Sequence, residues 1–258
     1  MPQISCPGNI GPLSNDAGLC SKLVGFTEPV GTDNCPGANT ARIAGQAPNT
    51  YFPVGVTTQT YEVTDASGNK ATCSFTITVV DIEAPIVLNC PEARVIEGCD
   101  VSAINSPAYS ATLATTTYAI FNGAPNNGDA TDNCAVTLVQ YQDVANGTCP
   151  ITVTRTWTVT DAAGNSDQCT QTITVDDTQN PTITACAQTR NIEGCSTAAI
   201  TGPAYSETSA SSSEAEFEDA NNDGDISDAC GITSVTYIDS KSGTCPIVVT
   251  RVWTIADA

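Results

Sequence analysis

Apolar and polar positions alternate from Tyr61 to Pro85: Tyr61 and Val63 are set off by Glu62 and Thr64, and Phe75, Ile77 and Val79 by Thr76 and Thr78, with Asp65 to Asn69 between the two runs. A period of two on either side of a turn-forming stretch predicts a half-buried β-hairpin. The same phrase returns from Trp157 to Pro181 and begins a third time at Trp253, close to Ala258. Elsewhere, short alternating runs are interrupted every ten residues or so by Gly, Pro, Asn and Asp, the pattern of an antiparallel sandwich. The expected fold is all-β, a tandem array of β-sandwich modules over 1–83, 84–178 and 179–258, the third missing its last strand.

The second and third segments share a register. Glu97-Gly98-Cys99 recurs as Glu193-Gly194-Cys195, Cys134 as Cys230, and Gly147-Thr148-Cys149-Pro150 as Gly243-Thr244-Cys245-Pro246, each 96 residues on. A repeat held in step over such a length reads as one structural unit copied along a rod.

Composition narrows the chemistry. A formal charge of −20, from 8 basic and 28 acidic residues, disfavours nucleic acid and anionic lipid as partners, and no apolar run is long enough for membrane insertion. With no histidine in the sequence, Ser/His and Cys/His nucleophile pairs are excluded within this chain, and no enzymatic role is expected. Thirteen widely spaced cysteines point to disulfides and an oxidising compartment. No secretory leader is visible at the start, so the expectation is a fragment of a longer exported protein.

The order Cys6-Pro7, Asp33-Asn34-Cys35, Phe52-Pro53-Val54-Gly55, Tyr61 to Asn69, Cys73 to Val79 and Asp81 to Pro85 resembles the hyalin repeat (HYR), an immunoglobulin-like extracellular module. The later repeats resemble the HYR-like repeats of large surface proteins in gliding, type IX-secreting bacteria. The resemblance implies immunoglobulin-like sandwiches and a disulfide between Cys6 and Cys73, leaving Cys20 to pair with Cys35. By analogy Cys90 joins Cys169, Cys99 joins Cys134, and Cys195 joins Cys230.

Two places could hold calcium. In Glu214 to Asp228, the residues Asp219, Asn221, Asp223 and Asp225 alternate around Gly224, as at the start of a calcium loop, with Asp228 as a further carboxylate. The twelfth loop position is Cys230, where a bidentate Glu is expected, and an acidic solvated loop is the competing reading. The second place is the set of junctions: Asp65, Asn69, Asp81 and Glu83, with Asp161, Asn165, Asp176 and Asp177 as counterparts. There Asp and Asn are equally what hairpin turns want, and the turn reading is favoured, as it is for Asp132 and Asp228 beside Cys134 and Cys230.

Arg155 and Arg251 fall on the same strand faces as Trp157 and Trp253, predicting packing against the indoles. The function expected is an extracellular structural or adhesive segment at a cell surface, disulfide-stapled and stiffened by weakly bound Ca2+. Its partners would be neighbouring modules, copies of itself in filaments, or surface glycans and proteins. The alternative is a carbohydrate-binding or accessory module of a secreted enzyme, which would need Tyr109, Tyr118 and Tyr205 on one exposed face.

Overall fold

The computed structural model describes residues 1–257; the final residue of the third expected module lies outside them. Six strands form the first repeat: β1 (Ile10–Ser14), β2 (Ser21–Val24), β3 (Asn39–Ala44), β4 (Thr50–Pro53), β5 (Gly55–Thr64) and β6 (Lys70–Val80). The second holds β7 (Ile86–Asn89), β8 (Arg94–Glu97), β9 (Ala114–Thr116), a short helix α1 (Tyr118–Asn122), β10 (Asp129–Thr131), β11 (Val136–Asn146), β12 (Ile151–Asp161) and β13 (Ser166–Asp176). The third holds β14 (Thr182–Ala185), β15 (Ala210–Ser212), a short helix α2 (Glu214–Phe217), β16 (Asp225–Ser227), β17 (Ser234–Ser242) and β18 (Val248–Ala256). The architecture is that of tandem immunoglobulin-like β-sandwich modules. By contact the chain divides into two compact units, one of residues 1–92, 110–142 and 155–171, the other of 93–109, 143–154 and 172–258.

In the first unit the Tyr61 to Pro85 phrase is the antiparallel pair β5–β6, running from Gly55 opposite Val79 to Thr64 opposite Lys70. Strand β1 lies parallel to β6 and β3 antiparallel to β5, while β2 and β4 make a second sheet. The inward positions of the alternation, Tyr61, Phe75, Ile77 and Val79, meet Val24 and Phe52 in one core. Burying each of these side chains contributes about 1.5–3 kcal/mol. The hairpin closes through Asp65, whose Oδ1 accepts from the backbone N–H groups of Ser67 and Asn69, both at 2.9 Å. Bonds from Asn69, first from its side chain, hold the Asp65 carboxyl below the usual carboxylate range, so this aspartate serves its own turn.

A second core in the same unit gathers Phe121, Ala130, Val139, Tyr141, Trp157 and Val159. Arg155, fully buried, lies over Tyr141 with Cζ 4.5 Å from the ring centre and 5.6 Å from that of Trp157.

In the second unit β8 runs parallel to β13 around Ile104, Val153, Ile173 and Val175, and β17 pairs with β18 and β15. Phe217, Ile226 and Val235 form its other core, against which Trp253 packs. Arg251 lies 5.5 Å from the Trp253 ring centre, the packing predicted, and 4.2 Å over Tyr237, and its guanidinium also meets both carboxylate oxygens of Asp239 at 2.8 Å. Burial pushes the Asp239 carboxyl up, but Arg251 and the Ser206 N–H outweigh burial and hold it below its ordinary value. A depressed folded-state pKa adds stability above the unfolded value of about 3.9 and loses it as pH falls through the folded value. Asp239→Asn is therefore expected to lower the melting temperature at pH 7, with the deficit shrinking below about pH 4 in a pH series of thermal melts.

Candidate functional site: two acid clusters beside disulfides

Among the described residues four disulfides are present: Cys6–Cys73, Cys20–Cys134, Cys90–Cys169 and Cys99–Cys230. The first and third coincide with the pairing implied by the hyalin-repeat resemblance. The other two correct it. Cys20 does not join Cys35, Cys99 does not join Cys134, and Cys195 does not join Cys230; Cys35 and Cys195 are exposed thiols instead.

The cause is local. Asp132 Oδ1 accepts from the N–H groups of Cys134 and Ala135 at 2.8 and 2.7 Å, shaping a tight turn. At its tip, Asn133 Nδ2 donates to Leu19 O at 3.3 Å and to Asp81 Oδ1 at 3.2 Å. Cys134 is thereby set against Cys20, the residue after Leu19. A count made repeat by repeat treats each repeat as closed, whereas here the second cysteine of one repeat reaches the Asp-x-Cys turn of the next.

The same turns carry the acidic clusters. One ligand oxygen each from Asp81 and Asp132 lies within 4.8 Å of the other and of the Cys134 sulfur. Asp177, Asp228 and Cys230 form the matching group, every member 96 residues further on. Asp81 is 7% exposed; its Oδ1 also accepts from Glu83 N–H at 3.2 Å, and its backbone O accepts from Asn165 Nδ2 at 3.3 Å. Beside it Asp132 Oδ2 and Asn133 Oδ1 are buried and accept no hydrogen bond, and Asp177 Oδ2 is in the same state in the second group. An unsatisfied buried oxygen costs about 1–3 kcal/mol, more when charged. Burial, a hydrogen bond with Glu97 and the negative charges of Asp228 and Asp257 push the Asp177 carboxyl up.

Of the other junction residues, Asp161 and Asn165 make a hairpin turn like Asp65 and Asn69, and Glu83 accepts from Gly18 N–H at 3.0 Å with each oxygen. Asp176 Oδ1 lies 3.9 Å from the Cys149 sulfur.

The five residues of the calcium-loop pattern are spread over separate tasks. Asp219 Oδ1 accepts from the N–H groups of Asn221 and Asn222, each at 2.8 Å, and the Asn222 bond leads in holding its carboxyl low. Asn221 Nδ2 reaches back to Asp219 Oδ2 at 3.4 Å. Asp223 takes a positive φ of 53°, and Asp225 begins β16, where it accepts from the Thr184 hydroxyl. Asp228 belongs to the group with Asp177. Among the described residues Asp219, Asp223 and Asp225 are not gathered into one acidic group. Gly224 has a packing role: a Cβ there would lie 2.4 Å from the Phe217 ring, as one at Gly128 would lie 2.7 Å from Phe121.

The tyrosines of the carbohydrate reading are engaged one by one. Tyr118 OH donates to Asp129 Oδ1 and Ala130 O at 3.0 and 2.8 Å, Tyr109 packs against the Ile104 core, and Tyr205 OH donates to Glu207 at 2.7 Å with Lys241 over its ring.

Among the described residues no helix is long and apolar enough to cross a membrane. Residues 1–79 match the HYR domain, and residues 105–175 match the HYR-like domain with 4 cysteines. The chain is 32% identical to hyalin of Strongylocentrotus purpuratus over 92% of its own length and 19% of that protein. It is 33% identical to a Rattus norvegicus protein named for sushi, von Willebrand factor type A, EGF and pentraxin domains, over 42% of this chain and 3% of that one. It thus spans less than a fifth of the length of either relative. Among solved structures, Sidekick-1 immunoglobulin domains 1–5 align at 12% identity and a TM-score of 0.31, over 72% of this chain and 41% of that one. The relatives are animal proteins, and none of these matches supports an origin among the surface proteins of gliding bacteria. The HYR match, the hyalin likeness and the disulfides mark an extracellular or cell-surface chain whose similarities lie with the hyalin-repeat family.

Proposed function

We propose that this chain is a structural and adhesive segment of a larger extracellular protein, in which each disulfide running from one repeat into the next is accompanied by a bound calcium ion. The observation that carries the calcium reading is the pair of buried oxygens without hydrogen bonds, Asp132 Oδ2 and Asn133 Oδ1, beside buried Asp81. The recurrence of the carboxylates at Asp177 and Asp228 supports it.

The donor set fits a hard cation. The sulfurs of Cys134 and Cys230 are in disulfides, so neither offers a thiolate, and what remains is carboxylate and amide oxygen. An all-oxygen set suits calcium better than zinc, whose structural sites are built on Cys sulfur and His nitrogen. When bound, the ion supplies positive charge that offsets the repulsion of carboxylates and ties the end of β6 to the turn after β10. Asp81 is the anchor, since Glu83 and Asn133 fix its Oδ1 before any ion arrives. In the second group Ala229 stands where the first has Asn133, removing one amide oxygen, so the first site is the tighter. The resulting function is mechanical. Repeats joined by covalent and ionic links hold a fixed spacing, present their surfaces to neighbouring modules, and resist proteolysis.

Thermal unfolding with calcium and with chelator tests this. Extracellular modules bind with Kd of about 10⁻⁴–10⁻³ M, and an ion at about 100 times its Kd adds about 2.7 kcal/mol. Calcium should raise the melting temperature of the parent chain. Asp132→Asn combined with Asp228→Asn should abolish the rise while leaving the chelated protein at least as stable as the parent, because like charges are removed. Absence of any calcium effect, or an effect surviving that pair and lost in Asp223→Ala with Asp225→Ala, would refute this assignment.

A further inference from the structure

Strands β11 and β12 are joined by a short tip, residues 147–150. Just inside that tip, Ala145 and Ile151 pack on the core of Ile104, Val153, Ile173 and Val175. Alternation along β11 therefore turns Asn146 to the opposite face, which it shares with Gln142 and Val144, all three of them exposed. Gly147 and Thr148 are exposed after it, and neither the Asn146 carboxamide nor the Thr148 hydroxyl bonds to another group among the described residues.

Asn146-Gly147-Thr148 is an acceptor sequence for N-linked glycan, Asn-x-Ser/Thr with x other than proline. It occurs once in the sequence; Asn180-Pro181-Thr182 has the same ends but proline between them. Asparagine before glycine is also what a hairpin turn selects, and the third repeat separates the two explanations. There Ser242-Gly243-Thr244 occupies the matching tip between β17 and β18, with all three residues exposed. Gly243 takes a φ of 75° where Gly147 takes 86°, and a Cβ would lie 2.6 Å from Pro246 O in the one and 2.7 Å from Pro150 O in the other. The same turn forms with serine in first place, so the turn does not require the asparagine. What Asn146 brings that Ser242 lacks is the acceptor amide.

We infer that Asn146 carries an N-linked oligosaccharide, borne on the tip of the β11–β12 hairpin and missing from the matching tip of the third repeat. An extracellular or cell-surface chain meets this chemistry on the secretory route. The donor is an oligosaccharide joined through pyrophosphate to a polyprenol lipid. Asn146 Nδ2 bonds to the anomeric carbon of the first sugar as the bond from that carbon to the pyrophosphate oxygen breaks. The lipid pyrophosphate leaves with the bonding electrons and Nδ2 releases one proton, so no oxidant or reductant takes part. Val144, 57% exposed and two residues back on the same face, comes to lie beneath the glycan, which keeps this apolar end of the hairpin hydrated.

The test is the full chain secreted from cultured animal cells, its intact mass measured before and after treatment with a peptide N-glycosidase in heavy-oxygen water. The parent should carry one glycan, and release should leave a heavy-oxygen aspartate at position 146 and nowhere else, which separates enzymatic release from spontaneous deamidation of the Asn-Gly pair. Asn146→Gln and Thr148→Ala should each return the mass to that of the bare polypeptide, whereas Thr148→Ser keeps the acceptor sequence and the glycan. Ser242→Asn completes the sequence on the matching turn and should raise the count from one glycan to two. The inference is overturned by a parent secreted at the bare polypeptide mass, by a glycan that survives Asn146→Gln, or by a Ser242→Asn chain that gains none. Calcium takes no part in the transfer, so failure here is separate from failure of the ion assignment.

Discussion

Cys20→Ser combined with Cys134→Ser is expected to lower the unfolding free energy of the first unit by about 3–4 kcal/mol, because the bond closes a long loop in the unfolded chain. The sequence separation is 114 residues, and the Cys6–Cys73 and Cys90–Cys169 bonds already shorten the effective loop, which sets the figure below the maximum for an isolated link. Cys35→Ser removes an exposed thiol with no bond and should change stability by less than about 0.5 kcal/mol. Guanidinium unfolding of the two variants separates the observed pairing from the within-repeat one. Were Cys20 joined to Cys35, the single Cys35→Ser change would cost nearly as much as the double variant. Peptide mapping without reductant gives the direct check, since Cys20 must appear linked to Cys134.

That pairing also marks the boundary of what the sequence discloses. Strand alternation was legible because Tyr61, Val63, Phe75, Ile77 and Val79 obey a two-residue period, and burial follows it position by position. The short helices α1 and α2 were not, because four or five residues cannot display a helical period; their signals are single caps, Thr117 accepting from Ile120 N–H and Ser213 from Glu216 N–H. The Cys6–Cys73 bond follows from first and last strands lying side by side, β1 along β6. The Cys20–Cys134 bond depends on which turn docks on Leu19, a fact held by Asn133 and by no local pattern.

The acidic residues teach a related point. Asp219, Asn221, Asp223 and Asp225 carry the spacing of a calcium loop, and in the structure the same stretch holds an Asx turn at Asp219, a positive φ at Asp223 and a glycine pressed on Phe217. Asp81 and Asp132 are 51 positions apart and match no motif. Their shared 96-residue step to Asp177 and Asp228 was the available signal, since the register that relates the cysteines relates these carboxylates too. A repeat that keeps its acids in step with its disulfides keeps them for the same place in the fold.

Trp157→Ala is expected to have the largest effect of any single change in the first unit, about 3–5 kcal/mol. The indole is fully buried, with Phe121 edge-on at 5.3 Å, Tyr141 at 5.5 Å and Arg155 alongside, so truncation leaves a cavity walled by aromatic rings that cannot collapse into it. Its Nε1 also donates to Gln171 Oε1 at 3.1 Å, and Gln171, itself 1% exposed, spends its Nε2 on Glu92 O at 2.8 Å. Trp157→Phe keeps most of the volume but strands that Oε1, for an expected cost of about 1–3 kcal/mol. Trp253→Ala should cost less than Trp157→Ala, because Trp253 keeps the ring contacts to Phe217 and Tyr237 but is only half-buried. Far-UV circular dichroism in a urea series gives the stability of each variant. With only two tryptophans in the sequence, Trp253 fluorescence in Trp157→Ala reports the second unit separately. If Trp253→Ala proves as costly as Trp157→Ala, burial does not set the difference between these two repeats.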